Sequence, residues 1–296
     1  MSTQIDTALV QQYSANLERA FQQKGSRLRD WVRVERQQGE HAYYDRTGKV
    51  SVNEIVTRHA DTVLTDTPHT RRRVSLRHWS HADMIDDPDK VQTIANFQSP
   101  YLTEARDGMG RQLDQQIVDA AGGTSYSGKT GSTSVVFDTN QDVAVNYVDS
   151  GGAANSGLNV AKLRQARYLL QKQEAIEGNE VFVVTAKQLQ DLLKETEVTS
   201  SDYAAVKALV HGEVNTFLGF TFISTELLPL VTATDVRTCY AWTRRAMIAA
   251  IGMEIQTFVG PNPSKNNNIQ LQVKASFDAS RMWEEGIVRV YADESP

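Results

Sequence analysis

The sequence has almost no cysteine. Cys239 is the only one in 296 residues, which excludes an intramolecular disulfide and a thiolate-based zinc site. No apolar run approaches the ~18 residues that mark a membrane span. The first residues, MSTQIDTALVQQYSANLERAF, lack the basic segment and apolar stretch of a secretory signal. The expectation is a chain made in the cytosol and not exported by a cleaved signal, with no membrane partner. A basic surplus is also missing. Net charge is −5 and the pI is about 5.7, so the overall footprint of a nucleic-acid binder is not there. There is no GxSxG elbow for a serine nucleophile, and no repeat at a fixed period.

What is there is ordinary for a globular chain: 40% hydrophobic and 23% charged residues, enough for one large domain or two smaller ones. The clearest element is the stretch from Ser99 to Gly123. Ser99 suits an N-cap and Pro100 the first helical position. Leu102, Ala105, Met109, Leu113, Ile117 and Ala120 or Ala121 recur at three- and four-residue steps, one apolar stripe. Gly122 and Gly123 end the pattern, since glycine takes the left-handed C′ conformation cheaply. This spacing predicts a helix of about 22 residues, roughly 33 Å long. The stripe is expected to pack on the C-terminal strands, leaving Arg106, Arg111 and Asp114 open to neighbours.

Before that helix, Ile5, Leu9, Val10, Tyr13, Leu17, Ala20 and Phe21 read as one amphipathic helix. Lys24, Arg27, Arg29, Arg33 and Arg36 follow. They form either a solvated face or an arm lying across an acidic neighbour. Val32, Val34, Val50, Val52, Ile55 and Val56 then alternate with polar residues at strand period around the Asp45–Gly48 turn signal. VSLRHWSH, from Val74, reads as a returning strand. This excursion has few large apolar residues and cannot bury a core of its own; it needs a partner chain. Asp87 is the expected cap of a short helix reaching about Phe97.

Residues 122–157, rich in Gly, Ser, Thr and Asn, read as a surface loop or short hairpin. From Leu158 the pattern becomes α/β. Asn159 caps a helix through Leu163 and Leu170. Val181–Val184 is a short, wholly apolar run, as in a buried central strand. Thr185 and Gln188 form a capping box, and Ser201 caps a further helix. Strands are expected at Phe217–Ile223, Cys239–Trp242, Ile269–Val273 and Ile287–Val290.

Few motifs carry chemistry. Gly123–Thr130 matches the GxxxxGK[ST] phosphate loop. That loop needs a strand before it and a helix after it; here a helix precedes it and no helical period follows. His78 and His81 lie three apart on an expected strand, which points them to opposite faces; they read as surface histidines. Cys239 reads as packing. Glu284–Glu285 and Asp86–Asp87 read as surface carboxylates. Arg71, Arg72 and Arg73 form a basic cluster that suits either a nucleic-acid backbone or an acidic patch on a neighbouring subunit; the acidic total favours the patch.

Three C-terminal stretches, with Trp79–Asp86, carry a resemblance. They are Leu209–Val214 running into Leu218–Phe220; Ala241–Trp242 with Arg244–Ala246 and Ile251–Gly252; and Ala279–Val288. Together they resemble the major capsid proteins of tailed bacteriophages. The resemblance implies an α+β chain of the Hong Kong 97-type fold. It implies an N-terminal arm (1–37), an extended β-hairpin loop (38–80) and a peripheral domain with a long spine helix (81–157). An axial α/β domain (158–262) follows, then C-terminal strands returning to the peripheral domain (263–296). The implied function is self-assembly into the hexamers and pentamers of an icosahedral head around double-stranded DNA. No enzyme activity, cofactor or metal is implied. The implied partners are other copies, a separate scaffolding protein, a portal and a decoration protein, with only weak contact to packaged DNA. The implied location is the virion, with assembly in the host cytoplasm. Candidate inter-subunit contacts are Arg71, Arg72, Arg73, Arg106, Arg111 and Asp114. Two alternatives stand beside it: a nucleotide-binding protein using Gly123–Thr130, and a nucleic-acid-binding protein using Arg71–Arg73.

Overall fold

The computed structural model describes residues 22–58, 61–85, 98–148, 154–194 and 216–295. The expected helices within 1–21, after Asp87 and after Ser201 lie outside these residues. Backbone proximity divides the chain into two units. One takes residues 1–26, 77–112 and 253–276; the other takes 27–76, 113–252 and 277–296.

The second unit opens with β1 (Arg33–Arg36), β2 (His41–Thr47) and β3 (His69–Ser75), and β4 (Arg77–Ile85) belongs to the first. Helix α1 (Gln98–Gly122) contributes its residues through Gln112 to the first unit and the remainder to the second. Strands β5 (Ser125–Ser127), β6 (Thr133–Val135) and β7 (Asp142–Val143) follow, then α2 (Val160–Lys172), β8 (Glu180–Val184) and α3 (Ala186–Lys194). The chain continues through β9 (Thr216–Phe217), β10 (Phe220–Ser224), β11 (Leu230–Val231) and β12 (Val236–Thr243). It ends with β13 (Met247–Pro261), β14 (Ile269–Arg281) and β15 (Ile287–Asp293).

The core of the second unit is a mixed sheet of order β7-β15-β12-β8-β10-β9, with β11 added to β12. As its apolar run predicts, β8 is buried at all five positions. It pairs antiparallel with β12 and parallel with β10. Phe182 meets Phe220 edge-on at 5.5 Å between ring centres and stacks on Phe222 at 5.4 Å, the offset and edge geometries that aromatic quadrupoles favour. Asn159 caps α2 by accepting the Lys162 N–H at 2.7 Å. The Lys162 ammonium is fully buried near that helix start, where the dipole disfavours a cation. It is held by three carbonyls, Val145, Ser156 and Gly157, at 2.8, 2.6 and 2.9 Å, one for each of its protons. At α3 the Gln188 side chain accepts the Thr185 N–H at 2.9 Å, the half of the capping box that reaches back to the cap.

Glu294 closes this region. Its carboxylate accepts two bonds from Arg237, both 3.0 Å, and one from Gln188 at 2.6 Å. Burial pushes its pKa up, but those bonds outweigh burial and hold it below the usual carboxylate value. A depressed folded pKa means the contribution is complete above about pH 4.5 and is lost as pH falls through the folded value. Glu294→Gln is therefore expected to flatten the fall of Tm in acid below that pH, measured by scanning calorimetry. An identical acid slope in the variant would refute the assignment.

Three sequence expectations change. Residues 50–56 form no strand: 48–58 and 61–68 carry no helix or strand. Period-two alternation needs a neighbouring strand to satisfy the backbone, and among the described residues none lies beside it. The returning strand from Val74 is two strands: β3 ends at Ser75, and Leu76, bonded N–H to the Glu40 carbonyl at 2.9 Å, separates it from β4. They join different sheets, β2-β3-β5-β6 and β1-β13-β14-β4. Residues 263–296 also divide: β14 pairs in the second of these sheets, whereas β15 lies between β7 and β12.

Within α1, Met109, Leu113, Ile117 and Ala121 are buried as the stripe predicts. The helix is described from Gln98, so Ser99 lies inside its first turn rather than at the cap. At the other end a Cβ on Gly122 would overlap the Tyr240 hydroxyl of β12.

Candidate assembly surfaces

The most prominent surface begins at the β2–β3 hairpin. Its seven pairs run antiparallel from His41↔Ser75 to Thr47↔His69. Alternate residues of a strand face opposite sides, which separates Arg72 from Arg71 and Arg73. Beyond the hairpin the chain continues through 48–58 and 61–68, where its large apolar side chains lie in solvent. Val52 is 93% exposed and Leu64 89%, and Val50, Ile55, Val56 and Val63 are exposed too. Single exposed apolar residues are normal; six in these two short runs are more than scatter.

The hairpin is tied down along its loop-side half by one carboxylate. Glu284, in the turn before β15, takes Arg72 on one oxygen and Arg46 on the other at 3.5 Å, and Arg281 Nε lies 3.9 Å away. Arg72 and Arg281 are almost fully buried. Burial pushes both guanidinium pKa values below the usual arginine value, and Glu284 offsets only part of that fall. Arg46 also lies 4.7 Å over the Trp283 ring, a cation–π contact. Arg281 ties in the end of α1, donating to the Ala121 carbonyl at 3.2 Å and to Gly123.

The three expected contact arginines thus have separate settings. Arg71 is half-exposed and pairs with Asp45 at 2.5 and 3.2 Å. Arg72 is interior. Arg73 lies 4.9 Å over Tyr126. Arg72 is withdrawn to the interior and Arg71 and Arg73 are engaged by Asp45 and Tyr126, so the three do not act as one cationic patch for a nucleic-acid backbone.

On α1, Arg106 is exposed and Arg111 half-buried, donating to the Gln23 carbonyl at 3.1 Å. Asp114 corrects the sequence expectation. It is fully buried, and its carboxylate accepts the N–H groups of Arg27 and Leu28 at 2.8 and 3.1 Å. A single turn earlier, a Cβ on Gly110 would overlap the backbone of Gly25 and Ser26. Gly110→Ala should gain about 1 kcal/mol of helix propensity yet lower Tm, because the 22–26 segment must move. A Tm that rises would show that the segment yields freely.

The remaining motifs fall away. Gly123–Thr130 is the end of α1 followed by a hairpin: β5, a turn with Gly128 and Gly131 at φ 94° and 64°, and β6. It is the C-terminal end of a helix that meets these glycines, and strands rather than a helix follow them, so the nucleotide-loop alternative is overturned. His78 bonds the Ser276 hydroxyl at 2.6 Å, and His81 is exposed. No group of three or more His, Cys, Asp or Glu among the described residues could hold a metal ion. Cys239 is buried, and burial pushes its thiol pKa up to about 12; it is packing, not a nucleophile.

The profile of the family described as phage capsid protein matches residues 5–294. The chain belongs to the phage capsid protein family. Solved phage shells share the subunit's fold at low identity. The capsid of Ralstonia phage GP4 matches with a TM-score of 0.74 and 11% identity, over 97% of each chain. The capsid of cyanophage P-SCSP1u matches at 0.72 and 15%, covering 100% of this chain and 96% of that one. The head of Helicobacter pylori bacteriophage KHP40 matches at 0.73 and 10%, covering 100% and 99%. No curated protein matches by sequence.

The capsid subunit has the α+β architecture of the Hong Kong 97-type fold, as the sequence resemblance implied, and it is a major capsid protein of the virion. Glu284 escaped the sequence reading of this subunit. In the stretch Arg281-Met-Trp-Glu284 it looks like any surface carboxylate, and only the fold brings Arg46 and Arg72 to it.

Proposed function

We propose that copies of this chain self-associate into hexamers and pentamers that close an icosahedral head around double-stranded DNA. They do so in the host cytoplasm, with a separate scaffolding protein, a portal and a decoration protein as partners. The subunit carries no catalysis and takes no cofactor. The observation that supports this reading is the six exposed apolar side chains of 48–58 and 61–68, carried by a hairpin whose Arg46 and Arg72 pair with Glu284. Such a segment gains its buried surface from a neighbour. Closed shells join each subunit to several others about symmetry axes, and many modest contacts acting together give a large total.

In this reading the arm (1–37) and the loop (38–80) supply reach, and the α/β region (158–262) supplies the axial contacts. Arg71, Arg106 and Arg111 are the contact arginines with solvent access; Arg72 and Asp114 serve inside the subunit. Contact with packaged DNA is weak, because phosphate attraction needs clustered Lys and Arg. The test is assembly of purified subunits with the scaffolding protein supplied, followed by light scattering and negative-stain imaging. Particles of uniform diameter are expected. A stable monomer at every salt and protein concentration would overturn the proposal.

A further inference from the structure

Charge does not balance under the loop-side half of the β2–β3 hairpin. Arg46, Arg72 and Arg281 face the carboxylate of Glu284, and their side chains are 11, 1 and 0% exposed. Glu285 is exposed and adds only the weakest attraction for Arg72. Elsewhere in the same unit the matching is one to one. Glu294 answers Arg237 and Asp142 answers Arg289, each in two bonds. The buried Lys162 ammonium has three carbonyls for its three protons. A guanidinium stays protonated at any ordinary pH, so the hairpin cluster cannot shed its excess as a buried lysine or histidine can. The Trp283 and Phe137 rings beside Arg46 and Arg281 soften the charge but supply none of the opposite sign.

Hydrogen bonding is incomplete at the same place. A guanidinium has five N–H donors. Arg72 gives Nη2 to Glu284, while its Nε and Nη1 are buried with no acceptor among the described residues. Arg281 gives Nη1 to the Ala121 and Gly123 carbonyls and Nη2 to that of Val135. Its Nε is buried without an acceptor, 3.9 Å from the same Glu284 oxygen that Arg72 bonds. Buried donors in folded proteins have partners, and a buried charge costs most when it lacks both a counterion and hydrogen bonds. One kind of species meets both needs: a small anion that accepts from several directions. A water would satisfy donors and leave the charge. Phosphate and sulfate are larger and hold their hydration more tightly.

We propose that Arg46, Arg72 and Arg281 hold a halide ion, chloride in the cell, as a second counterion beside Glu284. The ion completes the anchor of the hairpin, so its occupancy sets how firmly the exposed 48–58 and 61–68 runs are carried. This site lies inside one subunit and does not depend on self-association.

The test is scanning calorimetry of the full-length subunit at constant ionic strength, with sodium gluconate replaced stepwise by sodium chloride. A ligand that binds only the folded state raises Tm with its concentration. Tm should rise by about 4 °C between none and about 0.2 M chloride, and amide exchange in β2 and β3 should slow at least threefold. Fluoride, which is strongly hydrated, should leave both at their gluconate values. In Glu284→Gln the chloride response should begin at about a tenth of the concentration, since a neighbouring negative charge is gone. Crystals of the unmodified subunit grown in bromide should show an anomalous peak against the open Arg72 and Arg281 donors. Equal responses to chloride, fluoride and gluconate would be a general salt effect and would overturn the proposal. A bromide peak without the Tm response would be an adventitious ion only and would overturn it too. A Tm response with no peak at the cluster would give the halide to another site and overturn the assignment. An unshifted response in folded Glu284→Gln would remove the ion from that carboxylate's side.

Discussion

Subunits carrying Val52→Asp and Ile55→Asp are expected to fold normally and to form no closed particles. Both side chains are more than four-fifths exposed in the subunit, so nothing in its own core is lost. Surface substitutions usually stay within about 0.5 kcal/mol, and a kcal/mol moves Tm by only about 2–4 °C in a large domain; Tm should hold within about 2 °C. At an interface each new carboxylate must be taken out of water without a partner, a cost of several kcal/mol. That cost recurs in every copy, so a contact network built from many modest terms collapses. Calorimetry and negative-stain imaging of the same preparation separate the two effects. Particles of normal diameter from the double variant would show that the loop tip stays in solvent in the shell.

Glu284→Gln is expected to have the opposite signature, with the subunit itself failing. Arg72 and Arg281 are almost fully buried, and Glu284 is the carboxylate facing them and Arg46. Removing one partner of a buried ion pair typically costs about 3–5 kcal/mol, because the charge left behind has no counterion. The glutamine keeps the shape and one acceptor, so about 3 kcal/mol is the expected loss, or a Tm lower by roughly 6–12 °C. Glu285→Gln, one residue on, removes only the weakest of the charges acting on Arg72 and should move Tm by less than about 2 °C. Equal effects of the two variants would mean that the cluster adds nothing beyond surface charge.

Local features were legible in the sequence because their causes are local. The Asn159 cap, the Thr185–Gln188 box, the buried run Val181–Val184 and the stripe from Met109 to Ala121 each depend on residues a few positions apart. The structure has all of them. What stayed hidden depends on distant partners. Asp114 looked like a polar flank of α1, yet it is buried because the backbone of Arg27 and Leu28 crosses it, 87 and 86 residues away. Residues 50–56 have a strand's composition, but a strand is a property of two segments. Leu76 reads like its neighbours, and nothing near it announces that pairing passes from one sheet to another there. The resemblance to capsid proteins carried the architecture further than periodicity could, because it rests on the order of elements rather than on any single one.

The position of β15 has a consequence for how the subunit is made. Its Arg289 meets Asp142 on β7 across 147 residues, in two bonds of 2.8 and 2.7 Å, and the same strand pairs with seven residues of β12. Pairings over such distances make folding slow, since loop closure precedes any reward from contact. A nascent chain still short of Ile287 leaves one edge of β12 and all of β7 without their partner. For that interval it is a sticky intermediate of the kind that chaperones sequester. A subunit therefore becomes competent only after β15 has been made and has closed against β12 and β7.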